Sequence, residues 1–116
     1  MLKKEKKLYF LPELLQKIKT GEKTETRRQF KVFEKGDILK AVSRKDEKDF
    51  VFIKVVSCKK DNVFNITEED AKKEGFESVE DFLKTWHDIN FALNIKEFKN
   101  IIVNVIVFKF LARLNQ

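Results

Sequence analysis

Residues 21–28 read GEKTETRR: three cations, two carboxylates and two threonine hydroxyls, with a glycine at the start and no large apolar side chain. As a strand, the segment would put Thr24, Thr26 and Arg28 on one face and Lys23, Glu25 and Arg27 on the other. Two readings are open. Either the charged face is solvated and the threonine face is internal, or the segment lines a site. In the second reading Arg28 holds an anionic or carbonyl group inside a cleft, while Arg27 points to solvent. Lys23 and Thr26 have opposite parity, so they meet only if Lys23 lies in the turn after Gly21, before the strand begins.

Glu74 is the other oddly placed residue. It falls in the last turn of TEEDAKKE, just before Gly75. A carboxylate there faces the negative end of the helix dipole, at a cost of up to about 1 kcal/mol. A helix built for stability alone would carry Lys or Arg at this position. The same field disfavours the ionised form, which suits a group that holds or shares a proton, although Lys72 and Lys73 are close enough to offset it. The other reactive side chains are solitary. His87, the only imidazole, follows Trp86 and reads as structural. Cys58, the only cysteine, reads as a small core residue and excludes an intrachain disulfide. One Cys and one His make no zinc site of the usual kind, and neither metal nor cofactor is expected. Tyr9, Phe10 and Phe30 could stack on bases, but most of the 12 Phe are needed for the core.

The elements that must position these residues are punctuated clearly. Pro12 suits a first helical turn, Leu11, Leu14, Leu15 and Ile18 follow near-helical spacing, and Gly21 stops the run, which predicts a helix over 12–20. A turn at Lys35-Gly36-Asp37 leads into a short strand over 38–42, and RKDEKD is a polar hairpin-like loop. FVFIKVVSC, 50–58, reads as a strand buried on both faces. Thr67 caps a second helix that Gly75 ends; Ser78 caps a third, with Val79, Phe82, Leu83 and Trp86 as its apolar stripe. The polar-interrupted run 90–95 is a connector of no assigned structure. IIVNVIVFKFL, 101–111, is the longest strand candidate and, from its near-continuous apolar text, a central one. Strands flanking short helices without regular βαβ alternation predict an α+β class, built on a curved sheet or barrel. The length suits a single domain over 1–116.

Charge narrows the partners. Residues 1–48 carry 15 Lys/Arg against 8 Asp/Glu, and residues 49–116 carry 10 against 11, so the whole basic excess of the +6 chain lies in its first half. A field so polarised favours a polyanion on one side, against the plainer reading of solubilising charge. No apolar run approaches a membrane span, and the apolar part of the N-terminus is short and broken by Pro12 and Glu13, unlike a signal peptide. A cytoplasmic location is expected.

Taken in order, the short helix, GEKTETRR, FEKGDIL, the hydrophobic strand, ITEEDAKKEGFESVEDFLKTW and the terminal VIVFKFL resemble the ASCH domain family of the PUA-like superfamily. The most specific parts are Gly21-x-Lys23-Thr24-x-Thr26-x-Arg28, Gly36-Asp37 and Glu74-Gly75-Phe76. The resemblance implies a small PUA-like β-barrel or strongly curved mixed sheet, flanked by short helices around a cleft for RNA, a nucleotide or a nucleoside. Lys23, Thr24, Thr26, Arg28 and Glu74 would line it, with Arg27 alongside. One bacterial branch of the family hydrolyses N4-acetylcytidine to cytidine and acetate, using a Lys and a Thr of its KTxT segment and a Glu on the later helix. The matching catalytic positions are Lys23, Thr26 and Glu74; that branch favours apolar residues where this chain has Glu25 and Arg27. In that chemistry Thr26 attacks the acyl carbon, Lys23 accepts the threonine proton and Glu74 protonates the leaving amine. Lys23 would have to be neutral, yet an ordinary lysine is neutral in only about 1 of 2,500 molecules at pH 7. Burial and the charges of Arg27 and Arg28 would favour neutrality, and Glu25 and Glu74 would oppose it. RNA or nucleotide binding is the leading reading. The alternatives are the N4-acetylcytidine amidohydrolase, a metal-dependent RNA-cleaving enzyme resting on Glu25 and Glu74, and a protein-interaction module without catalysis.

Overall fold

Leu8 and Phe10 alternate with Lys7 and Tyr9, and these four residues form strand β1 (Lys7–Phe10) with its two apolar members buried. The computed structural model describes residues 6–89 and 101–112, so the connector 90–95 lies outside the described residues. Helix α1 (Pro12–Thr20) begins on Pro12, buries Leu14, Leu15 and Ile18, and ends where Gly21 takes a left-handed φ of 84° and donates to the Ile18 carbonyl. This is the predicted helix. Strand β2 (Glu25–Arg28) follows, then β3 (Ile38–Ser43), β4 (Phe50–Asn62), a 3-10 turn (Val63–Asn65), α2 (Glu68–Lys73), α3 (Val79–Ile89) and β5 (Ile102–Leu111). Thr67 and Asp70 form a reciprocal capping box on α2. The Ser78 hydroxyl accepts from the Asp81 N–H at 3.1 Å, and the Glu68 carboxylate accepts from the Val79 N–H, tying α2 to the start of α3.

The five strands form one mixed sheet in the order β1-β3-β4-β5-β2, in which only β1 and β3 run parallel. The sheet curves into a half-barrel with three short helices, the PUA-like fold. β5 pairs with β4 on one side and β2 on the other, so its near-continuous apolar text does mark a central strand. It feeds two cores. Ile106 and Phe108 join Leu8, Phe10, Leu15, Ile18, Leu39 and Ile53 in one cluster; Val103 joins Val63, Ala71, Phe82 and Trp86 in the other. Residues 103 and 106 have opposite parity on a strand, so the two clusters lie on opposite faces of the sheet.

β4 corrects the sequence reading. It is not buried on both faces: Phe50 and Val56 are exposed at 37% and 42%, and Lys54 lies outside with them. Val51, Ile53 and Val55 point into the first core, but the register then slips between Val55 and Ser57, and Cys58 is the next residue packed inward. One extra residue flips the parity of the strand. On the outer face Lys40 Nζ sits 3.9 Å from the Phe50 ring centre, and Phe50 meets Phe52 edge to face. An apolar run is therefore explained here by one buried face plus a bulge. The strand also runs on to Asn62, through polar residues that pair only with β5.

Candidate functional site

The site forms where the C-terminal ends of α1 and α2 meet the approach to β2. The Lys23 N–H donates to the Lys17 carbonyl (3.0 Å) and the Thr24 N–H to the Lys73 carbonyl (2.8 Å), while the Thr24 carbonyl accepts from the Phe108 N–H (2.9 Å). Lys17 Nζ donates to the Gly75 carbonyl at 2.6 Å. Lys23 therefore lies before β2, as its parity with Thr26 required.

Lys23 and Glu74 are each only 2% exposed. Lys23 Nζ donates to Glu74 Oε1 (3.0 Å), to the Glu74 carbonyl (2.6 Å) and to the Glu25 carbonyl (2.9 Å), which uses all three ammonium donors. Arg27 Nη1 donates to Glu74 Oε2 (2.9 Å) and Glu25 Oε1 (2.7 Å), and its Nη2 lies 3.5 Å from Asp70 Oδ2. Two buried cations thus neutralise two buried carboxylates. Such a network withstands burial only while complete, since removing one partner costs about 3–5 kcal/mol. Burial pushes the Lys23 ammonium below its ordinary value against the pull of Glu74; Arg28 adds to the lowering and Glu25 opposes it. For Arg27, burial acts downward but Glu74 and Glu25 outweigh it and hold the guanidinium above its ordinary value.

Arg27 is the clear departure from expectation. It does not face solvent; it is 6% exposed and sits inside the network. Parity grouped Lys23, Glu25 and Arg27 correctly, but the face they share is covered by the end of α2, so no face of β2 is solvated along Glu25, Thr26 and Arg27. The alternation of Glu25 with two cations was the clue: a self-neutralising triplet can be buried where a like-charged one cannot.

The barrel is open between its two edge strands, β1 and β2, and Arg28 spans that seam. Its Nη2 donates to the Tyr9 carbonyl (2.7 Å) and its Nε to Thr26 Oγ1 (3.0 Å), with the guanidinium stacked 4.6 Å from the Phe10 ring centre. Burial pushes Arg28 down to about 10, with Glu74 opposing and Arg44 adding to the fall, so it stays charged at neutral pH. A partly open cavity of about 180 Å³ occupies the seam. Lys23, Thr26, Arg27, Arg28 and Glu74 all contribute to its lining; Thr24 does not, being engaged through its backbone with α2 and β5. Of the aromatic candidates, Tyr9 and Phe10 line the cavity, whereas Phe30 is 83% exposed and does not. His87 is also absent from the lining, though Thr85 and Trp86 from the same helix are present. Sequence reading missed Gln29 and Arg44; Trp86, read as core, is buried in the second cluster and also borders the cavity. Gln29 Oε1 is buried and has no hydrogen-bond partner among the described residues; its place directly after Arg28 was the only hint. Arg44 reaches the cavity from the β3–β4 loop, which no spacing rule connects to residue 28. Among the described residues, no three His, Cys, Asp or Glu side chains converge as a metal site would need.

The seam pocket thus lies at the opening of a PUA-like half-barrel, lined by polar and charged side chains. The ASCH domain family matches residues 6–106, and the chain belongs to it. No curated protein sequence matches. Among solved structures, the chain is similar to an ASCH domain from Lactobacillus crispatus JV V101 (TM-score 0.74, 15% identity, 90% of this chain and 78% of that one). It is similar also to a protein of Enterococcus faecalis V583 (TM-score 0.73, 13% identity, 96% and 78%) and to an ASCH protein of Zymomonas mobilis (TM-score 0.57, 12% identity, 89% and 65%). At these identities the likeness speaks for the fold. Among the described residues no helix is long and apolar enough to cross a membrane.

Proposed function

We propose that the seam pocket binds a single base of an RNA or nucleotide, held against aromatic side chains and read by Thr26, Gln29 and the Glu74 carboxylate. The observation that carries this reading is the combination of small size and polar convergence. At about 180 Å³ the cavity falls below the roughly 300–1,000 Å³ of pockets for larger ligands, which suits one inserted ring with the rest of the ligand outside. Phe10 and Trp86 border the cavity and supply flat walls of the kind on which bases stack. Thr26 Oγ1 already accepts from Arg28, which leaves its proton for a ligand acceptor. The unpartnered Gln29 Oε1 can accept from a base amino group. The test is fluorescence anisotropy with a labelled, mixed-sequence single-stranded RNA at several salt concentrations. Binding should weaken with salt by a log–log slope of about −0.7 per phosphate contacted, and Thr26→Val should weaken it about tenfold. Absence of binding at about 50 mM salt, where the phosphate contribution is strong, would leave the protein-interaction module in its place.

A second reading has its own support. Lys23, Thr26 and Glu74, the catalytic set implied by the N4-acetylcytidine branch, all border one cavity, and burial favours the neutral lysine that the chemistry requires. A proton passed from the Lys23 ammonium to the Glu74 carboxylate would give a neutral amine and a neutral acid; Thr26 Oγ1 would then attack the acetyl carbon, its proton passing to Lys23 Nζ, N4 would leave with the proton from Glu74, and water would release acetate. In the ligand-free state Lys23 donates three bonds, as an ammonium does, so a substrate would have to release it. Incubation with N4-acetylcytidine followed by chromatography for cytidine separates the readings. Glu74→Gln abolishes turnover in a hydrolase and leaves measurable affinity in a binder, the comparison being made once far-UV circular dichroism shows that the variant, which loses one carboxylate of the buried network, is folded. The metal-dependent reading gains nothing from Glu25 and Glu74, because each carboxylate is already paired with a buried cation.

A further inference from the structure

The inner and outer charges of the pocket differ in one respect that the base-binding reading leaves unused. Inside, Lys23 and Arg27 are matched by Glu25 and Glu74. At the mouth stand two more guanidiniums, Arg28 and Arg44, and neither forms an ion pair with any described carboxylate. Both line the cavity, each beside the C-terminal end of β1. Tyr9 O accepts from Arg28 Nη2 at 2.7 Å, and Phe10 O accepts from the Arg44 backbone N–H at 2.8 Å. Arg28 is further fixed by Thr26 and by the Phe10 ring, so its orientation is set before any ligand arrives. Holding two like charges at one rim costs free energy unless an anion completes the arrangement. Guanidinium pairs match the oxygens of a phosphate better than any other common anion of a nucleic acid, through forked N–H donors.

We infer that Arg28 and Arg44 form a phosphate subsite at the mouth of the pocket, so that the preferred ligand is phosphorylated and a free nucleoside is bound without its strongest contact. This rests on the base-binding reading for what fills the rest of the pocket, but the subsite can be tested by itself. The phosphate can be the terminal group of a mononucleotide or a phosphodiester of RNA, and both would meet the same guanidiniums. Arg44 is exposed and, among the described residues, makes only a backbone hydrogen bond, so Arg44→Gln keeps the fold. Lys45→Gln, removing the adjacent exposed cation, is the charge control.

Two measurements decide it. Inorganic phosphate, compared with chloride at matched ionic strength, should raise the wild-type Tm by on the order of 5 °C at tenfold its Kd. Lys45→Gln should respond equally and Arg44→Gln should not respond. In parallel, a labelled single-stranded RNA is competed with nucleosides and with the corresponding 5′-monophosphates. Monophosphates competing at least tenfold better in wild type, with the advantage lost in Arg44→Gln, identify a terminal phosphate. No such advantage, together with an RNA salt slope shallower by about 0.7 in Arg44→Gln, identifies a phosphodiester. If RNA binds while phosphate leaves Tm unmoved and Arg44→Gln leaves the slope unchanged, the subsite is wrong and the base-binding reading stands. Phosphate protection without any nucleic-acid binding keeps the subsite and removes that reading. Equal losses in Arg44→Gln and Lys45→Gln reduce the pair to a diffuse basic patch and overturn the inference.

Discussion

Lys23 shows how a single side chain is made by its surroundings. Its ammonium is buried against the carbonyl that ends α2 and against the Glu74 carboxylate beside it. A cation at a helix C-terminus is favourable, which also answers why Glu74 is tolerated there: the negative end of the helix is compensated by Lys23 and Arg27 rather than by Lys72 or Lys73. The resemblance to the ASCH domain family named Lys23, Thr26 and Glu74 together, and all three border the cavity. The chain text did not carry the burial of Arg27, which depends on α2 closing over β2, a contact between residues far apart in sequence. The lowered Lys23 pKa has a thermodynamic consequence. Between its folded value and its ordinary value of 10.5, the unfolded chain binds more protons than the folded one, so stability rises with pH across that window. Lys23→Met removes this titration. The stability difference, wild type minus Lys23→Met, should be flat below the folded pKa and increase with pH up to 10.5, as read by denaturant unfolding at a series of alkaline pH values. A difference that declines with pH would mean that the ion pair, not burial, controls Lys23.

At the scale of elements, caps and stops were the most legible features, because they act through local hydrogen bonds. Thr67, Ser78, Gly21 and Gly75 all fall where their chemistry predicts. The bulge in β4 was not legible, since the extra residue falls between Val55 and Ser57, where two consecutive valines leave no mark of which one is inserted. Gly75 does more than end a helix. Its φ is +97°, and a Cβ there would lie 3.3 Å from both Leu14 Cδ2 and Lys17 Cδ and 3.5 Å from Lys23 Cβ. Gly36, with φ +93°, has nothing within 4 Å of the same position. Both positions disfavour a side chain by about 1–2 kcal/mol for the left-handed backbone. Only at Gly75 does the added methyl also press on α1, with Lys23 Cβ in ordinary contact beside it. Gly75→Ala should therefore destabilise the protein more than Gly36→Ala in urea unfolding, and should weaken ligand binding where Gly36→Ala does not. Equal stability losses would mean that α1 yields without cost and that this junction does not hold the site in place.

For the whole molecule, the question is whether two hydrophobic clusters on opposite faces of one sheet unfold as a unit. The class, the curved sheet and the central place of the last strand could all be read from the pattern of elements; the division of the core could not, because it depends on which face each residue of β5 presents. Ile106 lies in the first cluster and Trp86 in the second. They are joined through β5, whose 106 and 103 side chains serve the two clusters, and through the seam site that ties α1, α2 and β2 together. If that coupling is strong, the protein is one cooperative domain. Ile106→Ala removes buried methyl groups from the first cluster at a cost of about 2–5 kcal/mol, and each kcal/mol should lower Tm by roughly 4–8 °C in a domain near this size. Trp86 fluorescence, a probe of the other cluster, should then report the full shift, with the same midpoint as far-UV circular dichroism. A Trp86 midpoint that stays at the wild-type value while circular dichroism moves would divide the half-barrel into two independently melting halves. The pocket would then lie across a boundary that can open without global unfolding, and ligand binding should bring the two midpoints back together.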